Sequence, residues 1–177
     1  MDNISKNIID DLKTCNKEFI INNRAVFKKF VKGQNPKVAI LTCSDSRVIP
    51  EKIFNKSIGD LFVIRVAGNI AIDSSVISSL EYAVNHLKIN LIIILGHTNC
   101  GAVNAAENIK DTTNLLLNEI SDSFSINENH ILSNILYQLN NLPKRSKIIA
   151  NGLENKTLYV IGAIYHLEDG RVEFLDK

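Results

Sequence analysis

Between residues 4 and 31 apolar side chains recur at helical intervals, with Ile4, Ile8 and Leu12 on one stripe and Phe19, Ile20, Val26, Phe27, Phe30 and Val31 on another. The spacing predicts an apolar helical arm, residues 1–32. Gly33-Gln34-Asn35-Pro36 ends it, because Gly favours a left-handed cap and Pro lacks the N–H that would continue the helix. Beyond that point the pattern changes to short apolar runs. Residues 38–42, 61–66 and 91–95 read as buried strands, the second closed by Ala67-Gly68-Asn69 and the third broken at Gly96. Pro50-Glu51-Lys52 suits a helix start, and Asp73 or Ser74 caps a longer helix whose buried stripe is Val76, Leu80, Ala83, Val84 and Leu87. Residues 102–152 are helical, polar and Asn-rich, with Pro143 as a boundary. The chain then reads as a hairpin, 158–165 and 172–175, around Glu168-Asp169-Gly170.

Short apolar strands separated by helices imply an α/β fold. Its sheet is central, mostly parallel, flanked by helices and extended by the C-terminal hairpin. Residues 1–177 form one domain carrying the helical arm. In such sheets ligands collect outside the carboxyl ends of the strands, where strand order reverses. The residues after the first and third strands are therefore the ones to read for chemistry.

Composition narrows the classes without choosing among them. At 177 residues and 45% hydrophobic content, one sizeable core is expected. Twenty basic against nineteen acidic residues, net +1, argue against a partner that is nucleic acid or an anionic membrane. Three cysteines exclude a disulfide scaffold. The start has no basic and apolar leader pattern, and the aliphatic run 91–95 is too short to cross a bilayer, so a cytoplasmic protein is expected.

After the first strand comes Cys43-Ser44-Asp45-Ser46-Arg47; if the chain stays extended, Cys43, Asp45 and Arg47 share one side. After the third comes Gly96-His97-Thr98-Asn99-Cys100-Gly101, where a tight turn can aim the imidazole of His97 and the thiol of Cys100 at one point. Two thiolates, an imidazole and a carboxylate suit a tetrahedral ion of borderline softness, and zinc is the natural choice. Either half alone reads as well as buried core and a surface ion pair. Arg47 offers a planar fork that can hold the Asp45 carboxylate bidentately. With Asp45 so held, one position on the metal stays open to water; with Asp45 as fourth ligand the site is closed.

These residues resemble the β-class carbonic anhydrases. The match runs through 43–48 and 96–103, with 59–65, 79–84, 162–165 and 170–174 also similar to family segments. The resemblance implies one zinc per subunit, held by Cys43, His97 and Cys100, with water or, in a closed form, Asp45 as fourth ligand. It implies a zinc lyase that reversibly hydrates carbon dioxide to bicarbonate and a proton through zinc-bound hydroxide. Asp45, held by Arg47, would orient that hydroxide. Gln34, Phe62, Ala67 and Tyr82 match the substrate pocket of the plant-type branch, where Gln34, Phe62 and Tyr82 act across a dimer interface that the arm would help to cover. A homodimer, or a higher even oligomer such as a tetramer, follows.

Two positions depart from relatives. Val66 stands where the family commonly has asparagine, and Ile40 stands where the bicarbonate-regulated branch has tryptophan, so an open, plant-type site is expected. His86, His130 and His166 read as solvated or capping residues, and Cys15 as a small buried one. Hydrolysis of carbonyl sulfide or carbon disulfide at the same ligands, or a non-catalytic zinc-stabilised module, are the alternative functions.

Overall fold

The computed structural model describes residues 2–108 and 113–175, apart from the side chains of Lys29 and Phe30. The Phe30 side chain and residues 109–112 of the Asn-rich region, both read above from the sequence, lie outside that set. The chain divides into two compact units, 1–34 and 35–177.

In the first unit, α1 (Asn3–Phe30) is a single helix. Asp2 caps it by accepting the Ser5 N–H at 2.7 Å. The first apolar stripe keeps its helical spacing but is bare, with Ile4, Ile8 and Leu12 at 72%, 55% and 60% exposure. Cys15 is exposed, which corrects the reading of it as buried: residues 6–22 are exposed throughout, so no apolar layer covers it.

The second unit holds the sheet. Its elements in order are β1 (Val38–Thr42), α2 (Pro50–Ile53), β2 (Leu61–Arg65), a 3-10 turn (Ala67–Asn69), α3 (Ser74–Asn85), β3 (Leu91–His97), α4 (Gly101–Glu107), α5 (Leu115–Ser121), α6 (His130–Arg145), α7 (Lys147–Glu154), β4 (Tyr159–Tyr165) and β5 (Val172–Phe174). Strand order is β2-β1-β3-β4-β5, parallel except for the final antiparallel pair. This is the mostly parallel α/β sheet that the pattern predicts. Alternate residues face opposite layers. Ala39, Leu41, Ile92 and Ile94 pack with Leu80 of α3, Ile135 and Leu142 of α6 and Ile149 of α7. Ile40, Ile93, Leu95 and Ala163 pack with Val48 and with Ile53 of α2 on the other side. The chain passes from β1 to β2 on one side and then to β3 on the other, so strand order reverses between β1 and β3. In sheets of this kind the ligand-binding crevice falls there, at the carboxyl ends.

Two sequence boundaries move. Gly96 does not break β3 but pairs with Ile164 inside it. Its missing side chain serves helix packing, since a Cβ there would stand 2.6 Å from Ile135 Cδ1. Pro143 lies inside α6, and the boundary falls at Ser146, whose hydroxyl accepts the Ile149 N–H and caps α7.

Candidate metal centre

The carboxyl end of β1 delivers Cys43, the last residue of β3 is His97, and Cys100 is the cap residue of α4. Sγ of both cysteines and a ring nitrogen of His97 lie within 4.8 Å of one another, and all three residues are buried. The sulfurs are 3.9 Å apart and unbonded. Two thiolates on a tetrahedral zinc at ~2.3 Å stand roughly 3.8 Å apart. His97 Nδ1 lies 2.9 Å from the Thr98 carbonyl, which can only accept, so the proton belongs on Nδ1 and Nε2 keeps its lone pair. That Nε2 is fully buried and makes no hydrogen bond. An unsatisfied lone pair aimed beside two buried sulfurs is what a metal ligand looks like before the ion is added, and the donor set fits zinc.

Electrostatics follow from the same crowding. The Cys43 thiol is pulled well below its ordinary pKa, chiefly by the Cys100 S–H and then by His97 and the Gly68 and Asp45 N–H groups, against the cost of burial. Cys100 is pushed up by the Cys43 sulfur and by burial. Burial lowers the pKa of His97, but Cys43 and the Thr98 carbonyl outweigh it and the net shift is upward.

The loop after β1 makes a turn at residues 46–47, so the extended condition considered for this stretch does not hold. Asp45 Oδ1 accepts the Arg47 N–H at 3.0 Å while Val48 N donates to the Asp45 carbonyl, a local hydrogen-bonding pattern in which Asp competes with strand geometry. The turn still unites the two side chains. Arg47 Nε donates to Oδ1 at 2.9 Å and Nη2 to Oδ2 at 2.7 Å, holding the Asp45 carboxyl far below the usual carboxylate range. Asp45 Oδ2 stands 4.0 Å from His97 Nε2, and Arg47 Nη2 also reaches the Asn99 carbonyl at 3.2 Å.

The substrate-pocket residues are placed less tightly. Phe62, half-buried on the edge strand β2, meets Tyr82 at a ring separation of 6.2 Å, and Tyr82 is 45% exposed and stacks on His86. Ala67 opens the 3-10 turn whose next residue, Gly68, donates its N–H to Cys43 Sγ at 3.3 Å. Gln34 is exposed at the end of the first unit. Val66 lines an apolar cleft of about 510 Å³ with Ile70, Ile72 and Leu116, so an apolar residue fits there. His130 pairs with Glu107 and His166 with Glu173.

Three contributors escaped the sequence reading. Arg65 donates to the Asp45 carbonyl at 2.7 Å and tethers the loop. Glu168 accepts from Thr98 and Asn99, between two of the ligands. Asn134 donates to the Gly68 carbonyl. A basic residue at a strand's carboxyl end was the available signal for Arg65; the other two had none.

The family model described as Carbonic anhydrase matches residues 38–172. A carbonic anhydrase of Mycolicibacterium smegmatis is 37% identical over 160 aligned positions, covering 80% of this chain and 75% of its own. One of Synechococcus elongatus is 31% identical over 191, covering 94% and 70%. Among solved structures, the β-carbonic anhydrase CcaA is similar at a TM-score of 0.80 and 29% identity, covering 99% of this chain and 93% of that one. Coccomyxa β-carbonic anhydrase in complex with acetazolamide gives 0.80 and 28%, covering 96% and 85%.

Proposed function

Because this chain belongs to the β-class carbonic anhydrase family, we propose that it hydrates carbon dioxide reversibly to bicarbonate and a proton at a zinc ion held by Cys43, His97 and Cys100. The observation that carries this reading is the buried, unpartnered Nε2 of His97 beside two sulfurs at zinc-ligand separation, with the Asp45–Arg47 fork next to it. A zinc ion in such a site lowers the pKa of a water it holds to roughly 7 and so supplies a nucleophile at neutral pH.

The chain's own residues do the positioning. The Thr98 carbonyl fixes the His97 tautomer, so that Nε2 faces inward. Arg47 occupies both Asp45 oxygens, which keeps the carboxylate ionised and would hold it away from a bound zinc, leaving the site open to water as the plant-type reading requires. Asp45 has lone pairs to spare on both oxygens and accepts a hydrogen bond from the attacking water, turning the water's own lone pair toward the substrate carbon. An oriented nucleophile removes part of the entropic barrier before the reaction starts. We assign Gln34 of a second copy as the donor to a substrate oxygen, and Phe62, Ala67 and Tyr82 as the apolar wall.

That assignment requires a homodimer or a higher even oligomer. The bare apolar stripe of α1 and the exposed Tyr82 support it, since surfaces of this kind are covered in stable assemblies. Sites that need two free thiols are maintained in reducing compartments, which favours the cytoplasm. No helix among the described residues is long and apolar enough to cross a membrane.

Stopped-flow carbon dioxide hydration by zinc-quantified protein is the test. Turnover that rises with zinc occupancy is expected. A fully zinc-loaded chain without turnover refutes the proposal, and faster hydrolysis of carbonyl sulfide or carbon disulfide would reassign the substrate.

A further inference from the structure

Helices α5 and α6 carry a buried polar cluster where the sequence pattern shows only packing. Asn134, Gln138 and Glu119 are 0%, 0% and 4% exposed. Their hydrogen bonds admit one direction. Glu119 Oε1 pairs with Arg145 Nη1 at 2.7 Å and accepts from Gln138 Nε2 at 3.2 Å. A carboxylate without its proton can only accept, so Gln138 must turn its nitrogen toward it. The Gln138 oxygen is then left for the Ala71 N–H, at 2.9 Å, while Nε2 also donates to Asn134 Oδ1 at 3.2 Å. With its oxygen engaged, Asn134 points Nδ2 at the Gly68 carbonyl, at 2.7 Å. Arg145 completes the grip by donating to the Ala71 carbonyl at 3.0 Å.

The segment so held is one that would not hold itself. Gly68 and Asn69 are consecutive residues in the left-handed region, φ +70° and +47°; glycine enters it freely, but Asn69 stays there only where its surroundings hold it. Gly68 is also the residue whose N–H lies on the Cys43 sulfur. That sulfur is buried, and a buried anion needs donors.

We propose that Asn134 and Gln138, oriented by Glu119, are positioning residues for the metal-binding sulfur: they hold the Gly68 N–H on Cys43 and thereby set how strongly that ligand donates. This rests on Cys43 being a zinc ligand, as assigned above. Without the clamp the N–H drifts off the sulfur, which becomes more electron-rich and less firmly placed.

The test uses the full chain loaded with cobalt(II) and, separately, with zinc. In Asn134→Ala the sulfur-to-cobalt charge-transfer absorption moves to longer wavelength, and zinc release to a chelator quickens about 10-fold. Glu119→Gln keeps the volume but lets both amides flip; it shifts both readouts in the same direction and decides the matter alone if Asn134→Ala does not fold. Ser146→Ala removes a part-buried hydrogen bond, to Glu81, together with the cap on the Ile149 N–H, and lowers the melting temperature without moving either readout. Unshifted absorption and unchanged release in the folded site variants overturn the clamp while leaving the zinc assignment standing. A wild-type chain that takes up neither metal overturns both.

Discussion

Two grips hold the ligand loops, and they differ in solvent, in distance along the chain and in consequence. Asp45 and Arg47 are two residues apart and face water, with side chains 17% and 53% exposed. Asn134 reaches Gly68 from 66 residues away, in a dry cluster. An exposed ion pair adds little to stability, because water competes for both partners and salt screens them. A buried network is different: removing one member strands the others without water to replace it. Rate and stability therefore have separate seats on the same few loops.

The largest expected effect breaks the exposed grip. Arg47→Ala frees the Asp45 carboxylate to swing onto the metal, so kcat/KM for hydration falls by about 100-fold or more while zinc content stays at one per chain. Equal losses of zinc and activity would place Arg47 in metal binding instead. Glu119→Ala breaks the buried grip and leaves Arg145 unpaired against the cluster, costing about 3 kcal/mol. In a chain of this size that lowers the melting temperature by roughly 6–12 °C, which calorimetry reads directly. Gly68→Ala acts at the meeting point of the two: its Cβ would lie 2.5 Å from Ile120 Cδ1 at positive φ, so a loss of about 1–3 kcal/mol is expected.

A smaller effect sharpens the contrast through pH. Asp45 has a depressed folded-state pKa because of Arg47, so its contribution to stability is present above the ordinary value of 3.8 and disappears as the pH falls through the folded-state value. The difference in denaturant midpoint between wild type and Arg47→Ala is accordingly small at pH 7 and closes in acid below 3.8. A gap that widens in acid would contradict the pairing. At the bottom of the scale, Cys15→Ser leaves zinc content and turnover unchanged, since the exposed Cys15 lies on the arm and outside the ligand set.

The same contrast explains what could be read from the chain before its structure. The ligands stand at fixed short offsets after apolar strands, and offsets of two or three residues translate into proximity almost regardless of the rest of the fold. Cys43, Asp45 and Arg47 were legible for that reason, as were His97 and Cys100, and the strand pattern carried the parallel sheet. Joining the two halves needed the rule that ligands gather where strand order reverses. Asn134, Gln138 and Glu119 look like ordinary polar positions of Asn-rich helices. Asn134 and Gln138 reach partners 66 and 67 residues distant and Glu119 meets Gln138 across 19, and local spacing does not encode such pairings. Glycine misled in a related way: Gly96 reads as a strand break but is a point where α6 crosses close over the sheet. Cys15 reads as a small buried residue because cysteine is often buried, but it is exposed on its helix.

X-ray absorption at the zinc edge of the purified chain at neutral pH, with metal counted per chain, tests the centre most directly. One zinc per chain with two sulfurs at about 2.3 Å and one nitrogen at about 2.0–2.1 Å, reduced to one sulfur in Cys43→Ser or Cys100→Ser, is the expected result. A chain that binds no zinc, or a spectrum without two sulfurs that is unmoved by either substitution, would contradict the assignment of Cys43, His97 and Cys100.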